Sequence, residues 1–207
     1  MVVGDIMQSR LVTVTSAATL AEAMTLLQQR GIRHLPVVDG ALVGILSDRD
    51  LKRAMGPSGP DGGAGAQPVA GIMTRHVVTI GRQAPVEEAA RIMLDEKISA
   101  LPVIEGGRLV GIVTETDVVG LFVRVMGVGE PSSRLDVLLG DRPDGLGEVV
   151  RTIEDAGARI SSIVTLTRAD LREAVVRVAT INPGPVIAAL AARGFTVRDS
   201  SRRPAAR

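Results

Sequence analysis

Two stretches of this chain place a hydroxyl and a carboxylate three residues apart, each behind a glycine-led apolar run. They are Gly44-Ile45-Leu46-Ser47-Asp48-Arg49-Asp50 and Gly111-Ile112-Val113-Thr114-Glu115-Thr116-Asp117. A Ser or Thr followed at the third position by an acid is an acidic capping box, the signature of a helix start. The same geometry can serve a ligand. Free N–H groups and the positive end of the helix dipole attract a phosphate, and a first-turn carboxylate accepts hydrogen bonds from a ribose diol. A cap and a nucleotide contact are both consistent with these residues, and neither precludes the other.

Other chemistries lack their residues. There is no cysteine, and His34 and His76 are the two histidines, so thiolate dyads and the usual metal-ligand clusters are missing. The glycine-rich run from Gly56 to Gly65 lacks the Gly-Lys-Ser/Thr ending of a P-loop, and no Gly-x-Gly-x-x-Gly follows a strand. Asp48, Asp50, Glu115 and Asp117 have the oxygen ligands magnesium takes, but nothing in the sequence brings the two sets together. We expect no catalytic residue, no metal site and no cofactor.

The groups that must be positioned sit in a repeat. Asp5 to Lys52 recurs as Gly71 to Val119: Ile6-Met7 returns as Ile72-Met73, Val12-Thr13 as Val78-Thr79, and Leu35-Pro36-Val37-Val38 as Leu101-Pro102-Val103-Ile104. Tandem copies of a unit too small to close its own core are expected to pack on one another and to share a cleft. In the first copy, Val12 to Val14 reads as a short strand. Thr19-Leu20-Ala21-Glu22 opens a helix with Leu20, Ala23, Met24 and Leu27 on one face and Gly31 as its stop. Strands at Leu35–Val38 and Leu42–Leu46 follow, joined at Asp39-Gly40, and a helix starts after Ser47. The second copy repeats the order, with Pro85 in the first helical turn, an apolar face of Val86, Ala89, Ala90 and Met93, and a longer hairpin turn at Glu105-Gly106-Gly107-Arg108. Its last helix is predicted from about Thr116 to Met126. Residues 56–68 are mostly Gly, Pro and Ala and read as a flexible loop.

Beyond Gly129-Glu130-Pro131 the pattern changes. Leu135, Val137 and Leu139 alternate as a strand; a helix runs from Leu146 to Ala156 with Gly157 as its stop. Strands at Ile160–Thr167 and Glu173–Ile181 flank a turn at Arg168-Ala169-Asp170, and a helix at Pro185–Arg193 and a strand at Phe195–Val197 complete the order βαββαβ, a ferredoxin-like split motif. The fold class is therefore α/β, of the α+β kind.

The 207 residues, 45% hydrophobic and 23% charged, suit a soluble globular protein with a sizeable core. A net charge of +1 and two aromatic residues, Phe122 and Phe195, argue against a nucleic-acid surface. No apolar window is long enough to span a bilayer and no signal peptide is visible, so a cytoplasmic protein without membrane association is expected. Arg202, Arg203 and Arg207 read as a frayed basic tail.

The paired signature Gly-hydrophobic-x-(Ser/Thr)-x-x-Asp, each copy following a strand, resembles a tandem of CBS domains over roughly Val3 to Val128. The resemblance implies a pseudo-two-fold pair with two clefts that bind AMP, ATP or another adenosyl compound as a regulatory ligand. By position it implies that Asp50 and Asp117 hold ribose hydroxyls, that Ser47 and Thr114 lie near ribose or phosphate, and that Val12, Thr13, Val78 and Thr79 line the adenine. Arg33 and His34 stand where phosphate-facing basic residues are common, while the second copy has Ser99 and Ala100. That mismatch predicts unequal clefts. Arg10 and its counterpart His76 are weaker candidates.

Residues 135–199 resemble an ACT domain, whose loop after the first strand receives an amino acid. Asp141, Pro143, Asp144, Gly145 and Leu146 are the candidate contacts, but Asp144 replaces a glycine, and its charge would repel a ligand carboxylate. The expected domains are 1–55 and 69–128 for the CBS pair, with the loop 56–68 between them, a linker at 129–133, the ACT-like module at 134–200 and a tail at 201–207. The CBS-CBS-ACT order is similar to the acetoin-utilisation accessory type of protein. Both families commonly dimerise, so a homodimer is expected. The reading is a non-catalytic sensor of an adenosine-containing nucleotide, the alternatives being a ligand-independent scaffold or, less favoured, a nucleotide-acting enzyme.

Overall fold

A computed structural model describes residues 1–56, 59, 63–168 and 171–199. The turn residues Ala169-Asp170, the tail 201–207 and residues 57, 58 and 60–62 of the expected loop lie outside the described residues. The chain divides into two compact units, Met1–Val119 and the portion from Gly120 onward.

In the first unit each copy supplies a helix, an antiparallel hairpin and a second helix. Helix α1 (Leu20–Arg30) opens on the predicted capping box: Thr19 Oγ1 accepts from Glu22 N and Glu22 Oε2 accepts from Thr19 N. Leu20, Ala23, Met24 and Leu27 are its buried face, and Gly31 ends it in the left-handed region at φ 62°. Strands β1 (His34–Asp39) and β2 (Ala41–Ser47) pair around Gly40, and α2 (Asp48–Met55) follows Ser47 directly. The second copy places β3 (Ile80–Gly81), α3 (Val86–Glu96), β4 (Ala100–Glu105), β5 (Arg108–Thr114) and α4 (Glu115–Val125) in the same order, α4 running past Val119, the last residue of the first unit. The pairing slips at matched points, Val37/Val38 and Val103/Ile104.

Three expectations are corrected. Val12–Val14 is not a strand but a single parallel bridge, Val14 to Val37, although its copy-two equivalent does form the two-residue β3 beside β4. Pro85 sits at the N-cap of α3, one residue before the first turn. The loop 56–68 is not wholly unstructured. Gly63–Ala66 forms a 3-10 turn with Gly65 buried, and Gln67 O accepts a hydrogen bond from Leu20 N at 2.9 Å.

The copies exchange their leading segments. Val69 and Met73, from the segment that leads into the second copy, are built into the hydrophobic core of the first with Leu20, Leu27, Leu35, Leu46 and Leu51. Val69 N and Ala70 N donate to Ala18 O and Ser16 O, at 2.8 and 2.9 Å. In return Val3 N and Gly4 N donate to Ala84 O and Arg82 O of the second copy, at 2.9 and 2.8 Å, and Val3 is fully buried. The first copy thus completes its core with residues of the second, and the second holds the buried Val3 of the first by backbone hydrogen bonds.

In the second unit, β6 (Ser133–Leu138), α5 (Gly145–Asp155), β7 (Ile160–Arg168), β8 (Leu171–Val178), α6 (Gly184–Ala192) and β9 (Thr196–Asp199) follow the expected βαββαβ order. The strands lie antiparallel in the order β7-β8-β6-β9. Leu135 and Val137 of β6 alternate inward onto Val149 and Ile153 of α5, Leu190 of α6 and Phe195. Strand β8 stops at Val178, short of the expected Ile181, because Ala179 N turns to Arg159 O and Ser133 Oγ takes Thr180 O. The Arg142 guanidinium lies 4.5 Å from the Phe195 ring centroid and donates to Arg193 O at 2.9 Å, tying the loop after β6 to the approach to β9.

Candidate functional site

Both hydroxyl–carboxylate pairs are reciprocal caps. Ser47 Oγ accepts from Asp50 N at 3.2 Å while Asp50 Oδ2 accepts from Ser47 N at 2.9 Å and from Ser47 Oγ. Thr114 and Asp117 repeat the arrangement, with Asp117 Oδ2 accepting from Thr114 N at 2.8 Å and from Thr114 Oγ1 at 2.7 Å. Each cap therefore uses one carboxylate oxygen. The other oxygen is left for whatever faces it.

What faces it belongs mostly to the other copy. Gln8 N and O pair with Ile112 O and N at 2.9 and 3.1 Å, and Thr74 N and O pair with Ile45 O and N at 2.9 and 3.0 Å. The segment leading into each copy thus runs antiparallel to the last strand of its twin. Glycine at the head of each signature permits this approach. A Cβ on Gly111 would lie 2.5 Å from Met7 Sδ, and one on Gly44 would lie 2.6 Å from Met73 Sδ.

Two cavities result. One, about 480 Å³, is lined by Ser47 and Asp50 of the first copy together with Thr74, His76, Val78 and Lys97 of the second. The other, about 370 Å³, is lined by Gln8, Arg10 and Val12 of the first copy together with Thr114, Thr116 and Asp117 of the second. Both sizes fall in the range of roughly 300–1,000 Å³ usual for small-molecule sites. The expected residues Ser47, Asp50 and Val78 thus meet in the Asp50 cavity, and Thr114, Asp117 and Val12 meet in the Asp117 cavity. Thr13 and Thr79 are exposed and are not among the residues that line either cavity.

Arg33 and His34 line both cavities. His34 Nε2 and Ser99 Oγ are hydrogen-bonded at 2.9 Å, and Arg33 Nη2 donates to Thr116 Oγ1 at 3.2 Å, so each reaches from the first copy to the second. Burial pushes the His34 imidazole below its ordinary value, Arg33 adds to the shift, and Asp50 and Glu115 oppose it. This shared pair does not separate the cavities by charge. Nor do the remaining charged residues: the Asp50 cavity adds Arg49 and Lys97 but also Asp48, and the Asp117 cavity adds Arg10, so the two differ in the placement of their cations rather than in formal charge. Sequence reasoning missed Gln8, Thr74, Arg49, Lys97 and Thr116. Lys97 had one signal: it takes the place of Gly31 at a helix end, and at φ 55° it is the non-glycine residue with positive φ among those described.

The acids read as magnesium ligands do not converge. Asp50 and Asp117 lie in different cavities, and Asp48 is held by Lys52 at 2.7 Å. Among the described residues, no group of three or more His, Cys, Asp or Glu could hold a metal ion.

In the second unit Asp141, Pro143 and Asp144 are exposed, Gly145 is buried as the first residue of α5, and Leu146 packs on the core. Asp144 sits at the N-cap without capping through its side chain; its carboxylate instead pairs with Arg151, whose guanidinium it holds above its ordinary value.

The chain matches the model of the CBS domain over residues 3–57 and 69–124, more than half its length. It is 36% identical over 141 residues to a CBS domain-containing protein of Dictyostelium discoideum, covering 63% of this chain and 97% of that protein. It is also 36% identical over 123 residues to the L-aspartate semialdehyde sulfurtransferase of Methanocaldococcus jannaschii, there covering 58% of this chain and 23% of the enzyme. Among solved structures, the CBS domain pair of protein MJ0100 in complex with 5′-methylthioadenosine and S-adenosyl-L-methionine is 35% identical, with TM-score 0.53, 59% of this chain and 95% of that one covered. A Vibrio cholerae protein named for acetoin utilization, AcuB, is 34% identical, with TM-score 0.55 and coverage of 62% and 94%. CBSX2 in complex with AMP is 30% identical, with TM-score 0.51 and coverage of 60% and 97%.

Proposed function

From the premise that this chain belongs to the CBS-domain family, we propose that it is a non-catalytic regulatory protein whose paired copies sense an adenosine-containing nucleotide. The observation that carries the proposal is that each signature carboxylate, with one oxygen committed to its cap, lines a ligand-sized cavity whose opposite wall comes from the other copy. A ligand there touches both copies at once, so it favours the packing in which both sets of contacts are made, by no more than its difference in affinity for the two states. Asp50 and Asp117 stand at the ribose positions of the two cavities, Val78 and Val12 at the base positions, and Arg49, Lys97 and the shared Arg33 are assigned to phosphate. AMP in complex with CBSX2 and the two adenosyl compounds in complex with the MJ0100 pair support this ligand class.

The second unit is proposed to be an ACT-type module that dimerises the chain, giving a homodimer of the architecture of the acetoin-utilisation accessory proteins. The Asp144–Arg151 pair favours dimerisation over amino-acid sensing, because an acid and its partner stand where a ligand carboxylate would be received. A cytoplasmic location belongs to the same reading; among the described residues no helix is long and apolar enough to cross a membrane.

The test is a thermal-shift and calorimetry panel of AMP, ADP, ATP, S-adenosylmethionine and 5′-methylthioadenosine on the full chain. A ligand at about 100 times its Kd adds roughly 2.7 kcal/mol of stability. If no adenosyl compound raises the midpoint or gives heat, the proposal is wrong.

A further inference from the structure

The two signature carboxylates are capped alike but are not equally available. Asp117 Oδ1, the oxygen outside the cap, accepts a hydrogen bond from Gln8 Nε2 at 2.9 Å. Both oxygens of Asp117 are therefore engaged by the protein. Asp50 Oδ2 is likewise spent on its cap, but among the described residues no side chain donates to Asp50 Oδ1. The difference has a single origin. Gln8 and Thr74 hold equivalent places, each locked by two backbone hydrogen bonds to the last strand of the opposite copy, and Thr74 makes no such bond to Asp50.

We propose that Gln8 is a specificity-determining residue that closes Asp117 to a ribose diol, leaving Asp50 as the acceptor at which this chain first takes its nucleotide. The inference rests on the adenosyl-sensing reading above. At Asp50 a ribose hydroxyl replaces water. At Asp117 it must displace a carboxamide tethered beside the carboxylate by its own backbone, a donor at high effective concentration. One charge-assisted hydrogen bond is then exchanged for another, with no gain. Of the two cavities, the larger is also the one whose carboxylate is open.

The proposal is tested by calorimetric titration of AMP into the wild-type chain and into Gln8→Thr, Gln8→Ala and Asp50→Asn. Gln8→Thr installs the residue that the other copy carries at that place, and Gln8 is exposed, so thermal melting should confirm a folded protein. The expected result is a tight site in wild type that Asp50→Asn weakens by at least about tenfold, the scale of one charge-assisted hydrogen bond. A second site tightened by at least about tenfold should appear in both Gln8 variants and persist when Asp50→Asn is added. Unchanged AMP isotherms in both Gln8 variants, or two equal sites in wild type, overturn the role of Gln8 and leave adenosyl sensing standing. If AMP and the other adenosyl compounds bind neither wild type nor any variant, the sensing proposal falls and this inference falls with it.

Discussion

At the scale of single residues, His34 has the most to report. It is flanked by Arg33, hydrogen-bonded to Ser99, and faces both cavities, and its burial favours the neutral ring. A base whose folded pKa is depressed is protonated more readily in the unfolded chain. Stability therefore rises with pH through the window below the ordinary histidine value of about 6.5, and is lost as pH falls through it. Urea unfolding between about pH 5 and 7 should show a stability loss on acidification that is smaller in His34→Gln. Identical pH profiles for the two proteins would show that the ring is not held neutral. Lys97 carries a different burden, a left-handed backbone at the rim of the Asp50 cavity where Gly31 serves the first copy without strain. The caps were legible at this scale, because Ser47/Asp50 and Thr114/Asp117 are local and their spacing alone dictates the geometry. The partner of each free carboxylate oxygen was not, since Gln8 and Asp117 lie 109 positions apart.

At the scale of elements, the glycine that begins each signature is explained by packing against the twin. A methyl group on Gly111 would strike Met7 Sδ and approach Gln8 O at 3.3 Å; on Gly44 it would strike Met73 Sδ and approach Thr74 O at 3.2 Å. The sulfur end of a methionine can move, but the backbone oxygen is fixed by its pair with Ile112 or Ile45. Gly111→Ala is expected to cost about 1–3 kcal/mol, the range for overpacking a close contact. Chemical denaturation of Gly111→Ala, Met7→Ala and the double variant measures how the two are coupled. The double variant should be more stable than the sum of the single losses implies, because Met7→Ala vacates the space the new methyl needs. Strict additivity would mean that the sulfur contact does not set the glycine. The hairpins and α1 could be read from alternation and capping, whereas Val12–Val14 could not. Its apolar alternation is that of a strand, but a lone bridge to Val37 is all the sheet it receives.

At the scale of the whole chain, the repeat that announces two domains also conceals how they are assembled. Ile6-Met7 and Ile72-Met73 are nearly the same sequence, so either segment satisfies the pattern of either copy, and spacing cannot say which it completes. The fold assigns each to its twin: Val69 and Met73 fill the first copy's core, and Val3 is buried beside Arg82 and Ala84 of the second. The cavities inherit the exchange, which is why Val12 faces Asp117 and Val78 faces Asp50 rather than the carboxylates of their own copies. Deleting Met1 to Gly4 should then injure the second copy and spare the first. Val3 carries the only side chain of that segment that is fully buried, and burying a valine is worth about 1.5–3 kcal/mol. Hydrogen exchange followed by mass spectrometry on the truncated chain is expected to show faster exchange at Arg82–Ala84 and the first turn of α3, with α1 and β1 unchanged. Faster exchange confined to α1 would place the leading segment on its own copy and dissolve the exchange on which both cavities depend.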